Sequence, residues 1–171
     1  MYPTVSRRSS RKTLAAGMLV VLCAYAGGAA AQQAYSSIVC RAGTVTPLAK
    51  GDDMVSFAID HRGIVVAEGD NSPFANHTQR CMGSVAILRG VSKGSGYCRN
   101  VDPASGDFVL VEWNADGKPG TGTFRYVYGT GKWKGITGGG EYVPVAATRP
   151  VDAGTYQNCI RTKGTYAVPK P

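Results

Sequence analysis

The chain has 171 residues, 19 basic against 11 acidic, a formal charge of +8 and 43% hydrophobic residues, and the 32–171 portion read below as the mature chain has a length that suits one domain and leaves no room for two ordinary ones. Four of the basic residues, Arg7, Arg8, Arg11 and Lys12, crowd the first dozen positions, and the 15 that remain form no run. The basicity therefore comes partly from a leader, and the modest excess left on the body of the chain argues against nucleic-acid binding.

An apolar run from Thr13 to Ala26 follows the basic start and ends in the small-residue stretch Gly27 to Ala31. That order predicts a secretory signal peptide over 1–31, cleaved before Gln32, with an apolar core short of the roughly 20 residues that span a bilayer. Ser6-Arg7-Arg8 fits only half of a twin-arginine signal, and Leu22 before Cys23 does not suit lipidation. A single mature domain at 32–171 is expected in the periplasm or outside the cell, with no membrane span.

Cys23 leaves with the leader, and Cys40, Cys81, Cys98 and Cys159 remain, an even set suited to two disulfides in an oxidising compartment. Four cysteines permit three connectivities. Cys81 and Cys98 flank a Gly/Ser-rich segment, Ser92 to Gly96, read as a turn, and Cys40 and Cys159 lie on the first and last strand candidates. Those positions favour pairing 40 with 159 and 81 with 98. No CxxC pair occurs, and His61 and His77 stand apart from the cysteines, so neither a metal nor another cofactor is expected.

Beyond residue 32 no window keeps helical spacing without a Gly or Pro, whereas strand patterns recur. The predicted strands are Ser37 to Val45, Met54 to Asp60, Gly63 to Glu68, Thr78 to Leu88, Gly96 to Val101, Asp107 to Trp113, Gly122 to Tyr128, Gly138 to Val143 and Thr155 to Tyr166. Turn chemistry separates them at His61-Arg62-Gly63, Pro103 to Gly106 and Asn114 to Gly117. The expected fold is all-β, a closed antiparallel barrel of about eight strands, because cysteines on the outermost strands would staple the closure and closure removes exposed edges. Strict alternation puts Phe124, Tyr126 and Tyr128 on one face and Arg125 on the other.

Gly129 to Tyr142 reads GTGKWKGITGGGEY, with Trp133 and Ile136 as its large apolar anchors. Gly129, Gly131, Gly135 and Gly138 are read as backbone-geometry positions that fold the segment across the barrel while Trp133 plugs into the core. The segment lacks the terminal Gly-Lys-Ser/Thr of a phosphate-binding loop and no helical pattern follows it. A strand, a GTGK-aromatic-x-G-x-x-G turn and a further strand resemble the allene oxide cyclase and dirigent type of β-barrel, and small exported bacterial proteins of unknown role that carry it. In those bacterial proteins Gly-Tyr-Cys, then Asp, then Gly-Asp precede the turn, as Gly96-Tyr97-Cys98, Asp102 and Gly106-Asp107 do here. The resemblance covers about Cys81 to Tyr142. It implies an eight-stranded barrel, often with an apolar cavity and in some plant members oligomeric, and carries no catalytic residue over to this chain.

The residues offer no recognisable catalytic set. Asp60-His61 is a dipeptide assigned to a turn, His77 lies at a loop-to-strand boundary, and Asp107 and Glu112, five apart, face opposite sides of a regular strand. Asp107 is read as a turn cap and Glu112 as exposed or ion-paired. Arg125 is expected in water outside the barrel. The sharper alternative turns it inward to orient an anionic ligand, paired with Glu112 and walled by Tyr97, Trp113 and Tyr126. The leading functional expectation is a non-catalytic barrel binding a small apolar or amphiphilic ligand or a protein partner. The rivals are a cyclase or isomerase that shapes its substrate and a homo-oligomeric surface protein.

Overall fold

The computed structural model describes residues 31–70 and 72–170, so the leader read at 1–31 lies outside the described residues apart from its last position. Eight strands follow one another in sequence: β1 (Gln33–Lys50), β2 (Met54–Ala67), β3 (Thr78–Leu88), β4 (Val91–Val101), β5 (Phe108–Gly117), β6 (Gly122–Gly129), β7 (Thr137–Ala147) and β8 (Thr155–Ala167). Each pairs antiparallel with its neighbours in the chain, and β1 pairs with β8 to close the barrel. Closure satisfies the edge hydrogen bonds that an open sheet would leave for another chain.

Both disulfides join residues directly opposite each other on adjacent strands. Cys40 faces Cys159 across the β1–β8 seam, and Cys81 faces Cys98 across β3 and β4. Alternation sends Val39 and Ile160 inward and turns Cys40 and Cys159 to the outer face, so that bridge clasps the seam from outside. Cys81 and Cys98 are buried within the barrel.

Three expected turns lie inside strands. His61-Arg62-Gly63 is the middle of β2, paired throughout with β1 and β3, so one strand runs where two were predicted. Its composition resembles a turn because alternation there sends a polar side chain inward at His61 and an arginine outward at Arg62. Ser92 to Gly96 belongs to β4, and the real hairpin turn is Arg89-Gly90, with φ of 52° and 81° between the paired Leu88 and Val91. Two residues with positive φ give the twist that suits a tight hairpin. Asn114 to Gly117 completes β5, and the reversal falls at Lys118 to Thr121.

The inner face carries little bulk along one wall. Gly43, Gly63, Gly83 and Gly96 all point inward, and a Cβ at any of them would overlap the backbone of the neighbouring strand. Glycine there lets β1 to β4 coil tightly and adds no side chain to the interior. Gly83 and Gly96 are opposite each other, and the Trp113 ring lies over both.

One end of the barrel is plugged. Phe74 and His77, from the β2–β3 connection, pack with Trp133 from a short 3-10 turn, Gly131–Trp133, and all three are buried. Ring centroids lie 4.9 Å apart for Phe74 and Trp133 and 5.7 Å apart for His77 and Trp133. Gly131, Gly135 and Gly138 adopt φ of 49°, 76° and 114°, the left-handed region glycine tolerates. Gly129 serves differently, because a Cβ there would overlap the Trp133 carbonyl.

The turn is pinned from the β4–β5 loop. Asp102 accepts from the Ala104 amide at 2.9 Å and ion-pairs with Lys132, while Asp107 accepts from the Lys132 amide at 3.2 Å. Thr130 and Phe108 exchange two hydrogen bonds, each 2.9 Å. The Asp and Gly-Asp elements that precede the GTGK turn in the sequence are thus the struts that hold Trp133 in the plug.

Candidate functional site

Inside the barrel lies a cavity of about 330 Å³. Tyr35, Val39, Val65 and Val109, the inward residues toward the plugged end, are buried, whereas Val45, Phe57, Ile59, Val85 and Ile87, toward the opposite end, are only half-buried. The cavity therefore opens away from Trp133, beside the β5–β6 loop that contributes Pro119 and Gly120 to its lining.

The lining has two chemically different walls. On β5 and β6 it is Val111, Trp113, Ala115, Phe124 and Tyr126. Across β8, β1, β2, β3 and β4 one register row reads Asn158, Arg41, Gly63, Gln79 and Asn100. Within it the Arg41 Nε–H donates to Asn158 Oδ1 at 2.8 Å, and Gln79 Nε2 donates to Asn100 Oδ1 at 2.8 Å. The Oε1 of Gln79 is buried without a hydrogen-bond partner.

The next inward row toward the mouth reads Tyr156, Gly43, His61 and Cys81. Because Gly43 has no side chain, the rings on either side of it meet at 5.7 Å and nearly perpendicular, and the Tyr156 hydroxyl hydrogen-bonds His61 Nδ1. His61 Nε2 lies 3.3 Å from Arg41 NH1. A guanidinium can only donate, so Nε2 accepts, Nδ1 carries the proton and donates to Tyr156, and the ring is neutral.

Burial first, and then the Arg41 charge, push the His61 pKa down to about 3 from 6.5. Burial raises Tyr142 and Tyr156 to about 12 despite the nearby guanidinium, and it lowers the pKa of Arg41. His61 is thus protonated more readily in the unfolded chain than in the fold. Stability is complete above pH 6.5 and falls as the pH drops toward 3. Denaturant unfolding at pH 7 and pH 4.5 is expected to differ by about 2–3 kcal/mol from this group, and His61→Gln should flatten the profile. An unchanged slope in that variant would assign the acid sensitivity elsewhere.

The residues marked in the sequence separate by strand parity. Trp113 and Tyr126 line the cavity, Tyr126 with its hydroxyl bonded to that of Tyr35. Tyr97 is 53% exposed on the outer face, and Arg125 and Glu112, register partners on β6 and β5, form their ion pair outside the barrel. The inward arrangement of Arg125, Glu112 and Tyr97 is thereby corrected, since all three occupy outward positions of regular alternation. Tyr128 is also outside, against the expectation that it shares a face with Tyr126. A bulge leaves Val111 paired with Tyr126 and Leu110 with Tyr128, and the extra residue reverses the facing.

His61 is likewise not apart from the cysteines. It lies opposite Cys81, and one of its ring nitrogens falls within 4.8 Å of both the Cys81 and Cys98 sulfurs. Those sulfurs are bonded to each other and offer no thiolate. Arg41 and His61 are the residues that reasoning from the sequence missed. The available signal was parity: Arg41 shares a face with Val39, Gly43 and Val45 of an otherwise apolar alternation.

No protein-family model matches the chain. No curated protein matches it either. Among solved structures, a pterocarpan synthase dirigent protein is similar, with 12% identity and a TM-score of 0.48 over 82% of this chain and 93% of that one. The barrel assignment rests on the strand pairing of this chain.

Proposed function

We propose that the mature protein is an exported barrel, periplasmic or secreted, that holds a small apolar or amphiphilic molecule in its interior without transforming it. The observation that carries this reading is the cavity of about 330 Å³, plugged by Trp133 at one end and open at the other. Eight-stranded barrels either fill with side chains or hold one small ligand, and here the inward glycines of β1 to β4 contribute no bulk. A mostly apolar lining with a few converging polar groups is the usual composition of such sites.

Binding is favoured over chemistry because both nitrogens of His61 are engaged, by Arg41 and by Tyr156, which leaves it no lone pair for a substrate proton. Export is supported by the basic-then-apolar leader and by two disulfides, which persist in oxidising compartments. No helix among the described residues is long and apolar enough to cross a membrane.

The test is occlusion. Ala115 is buried in the cavity wall between Gly94 and Gly122, so Ala115→Trp should fill the space below the mouth. Calorimetric titration with naphthalene-2-carboxamide is expected to show one-to-one binding to the native protein and a loss of about tenfold or more in the variant. Equal binding by both would place the probe outside the barrel and overturn the proposal.

A further inference from the structure

Among the described residues, Arg41 is the one cation lining the cavity, and no carboxylate lines it. Outside the barrel Arg80, Arg89, Arg125 and Arg161 each pair with a carboxylate. Among the described residues no carboxylate lies within 4.0 Å of the Arg41 guanidinium, whose partners are the neutral Asn158 and His61. The neighbouring phenols, Tyr142 and Tyr156, are held protonated by burial. The positive charge is thus carried into an apolar interior without an internal counterion, an arrangement that is costly in a folded protein.

We infer that the cavity takes an apolar molecule bearing a single carboxylate, which ion-pairs with Arg41 while its body lies in the apolar part of the interior. This rests on the cavity-binding reading above and specifies its ligand class. The guanidinium has five N–H donors in a planar fork. Asn158 and His61 engage two, and the remaining three match the two oxygens of a carboxylate, the geometry arginine recognises best. Asn158 and His61 fix the orientation of the fork in advance, so little is lost in ordering it when the anion arrives.

The matched pair naphthalene-2-carboxylate and naphthalene-2-carboxamide separates charge from shape. Calorimetric titration of the exported, disulfide-bonded protein at pH 7 is expected to give the carboxylate about tenfold tighter binding than the amide. Arg41→Met should abolish that preference, with carboxylate affinity falling about tenfold or more and no longer exceeding that of the amide, while Arg41→Lys, which keeps the charge and loses the fork, should retain an intermediate preference. Equal affinities for the two probes in the native protein would overturn the inference while leaving the cavity reading intact, and this arm needs no variant to fold. Carboxylate affinity unchanged in Arg41→Met would overturn it equally. Failure of the native protein to bind either probe would remove the cavity reading and the inference together.

Discussion

Replacing Cys40 and Cys159 by alanine is expected to lower the unfolding free energy by about 5 kcal/mol, a large share of the roughly 5–15 kcal/mol that folded domains possess. The bridge spans 119 residues of sequence, so cutting it frees nearly the whole domain in the unfolded state. The Cys81–Cys98 bridge spans 17, and the same chain-entropy argument gives about 3 kcal/mol for its loss. The ranking is the decisive feature. Urea unfolding of the two double-alanine variants should find the seam variant the weaker by about 2 kcal/mol. The reverse order would mean that the buried packing of Cys81 and Cys98 outweighs the constraint on the seam.

Trp133→Ala should cost about 3–5 kcal/mol, the range for deleting a large aromatic from a packed core. Trp133 is 5% exposed and packs against Phe74 at a shallow tilt and against His77 and Tyr166 edge to face, so alanine leaves a hole that these rings cannot close without moving. The consequence extends to the proposed binding, because the plug closes the end of the barrel opposite the β5–β6 loop. Naphthalene-2-carboxamide should dissociate faster from this variant, by about tenfold, in a stopped-flow displacement experiment. An unchanged rate with reduced stability would show that the probe never senses the plugged end.

Strand content, closure and the disulfide pairing were legible in the sequence because each follows from short-range pattern plus a single topological constraint. Alternating Val, Tyr, Phe and Thr mark strands, and cysteines on the first and last of them meet at the seam. Turns were less legible. His61-Arg62-Gly63 and Ser92 to Gly96 have turn composition but sit mid-strand, where glycine serves barrel curvature and histidine faces inward. A local reading cannot separate a glycine that reverses the chain from one that lets two strands coil closely.

The site was read only in part, for a related reason. Arg125, a charge flanked by aromatics, is the conspicuous cation of the sequence, and its parity places it outside with Glu112, as the favoured reading has it and against the inward alternative. Arg41 looked ordinary beside Ala42 and Gly43, and only the pairing of β1 with β2 and β8 sets it against His61 and Asn158. Trp113 and Tyr126, whose amphipathic rings suit a cavity wall, do line the cavity. Tyr128 departs from the expected face because a bulge breaks the alternation just before it.

Native mass spectrometry of the processed protein, after incubation with naphthalene-2-carboxamide, tests most directly whether the barrel interior is a binding chamber. The expected spectrum shows one adduct per chain, absent in Ala115→Trp. A bare chain at every probe concentration, or an adduct that persists when the chamber is filled, would contradict the account.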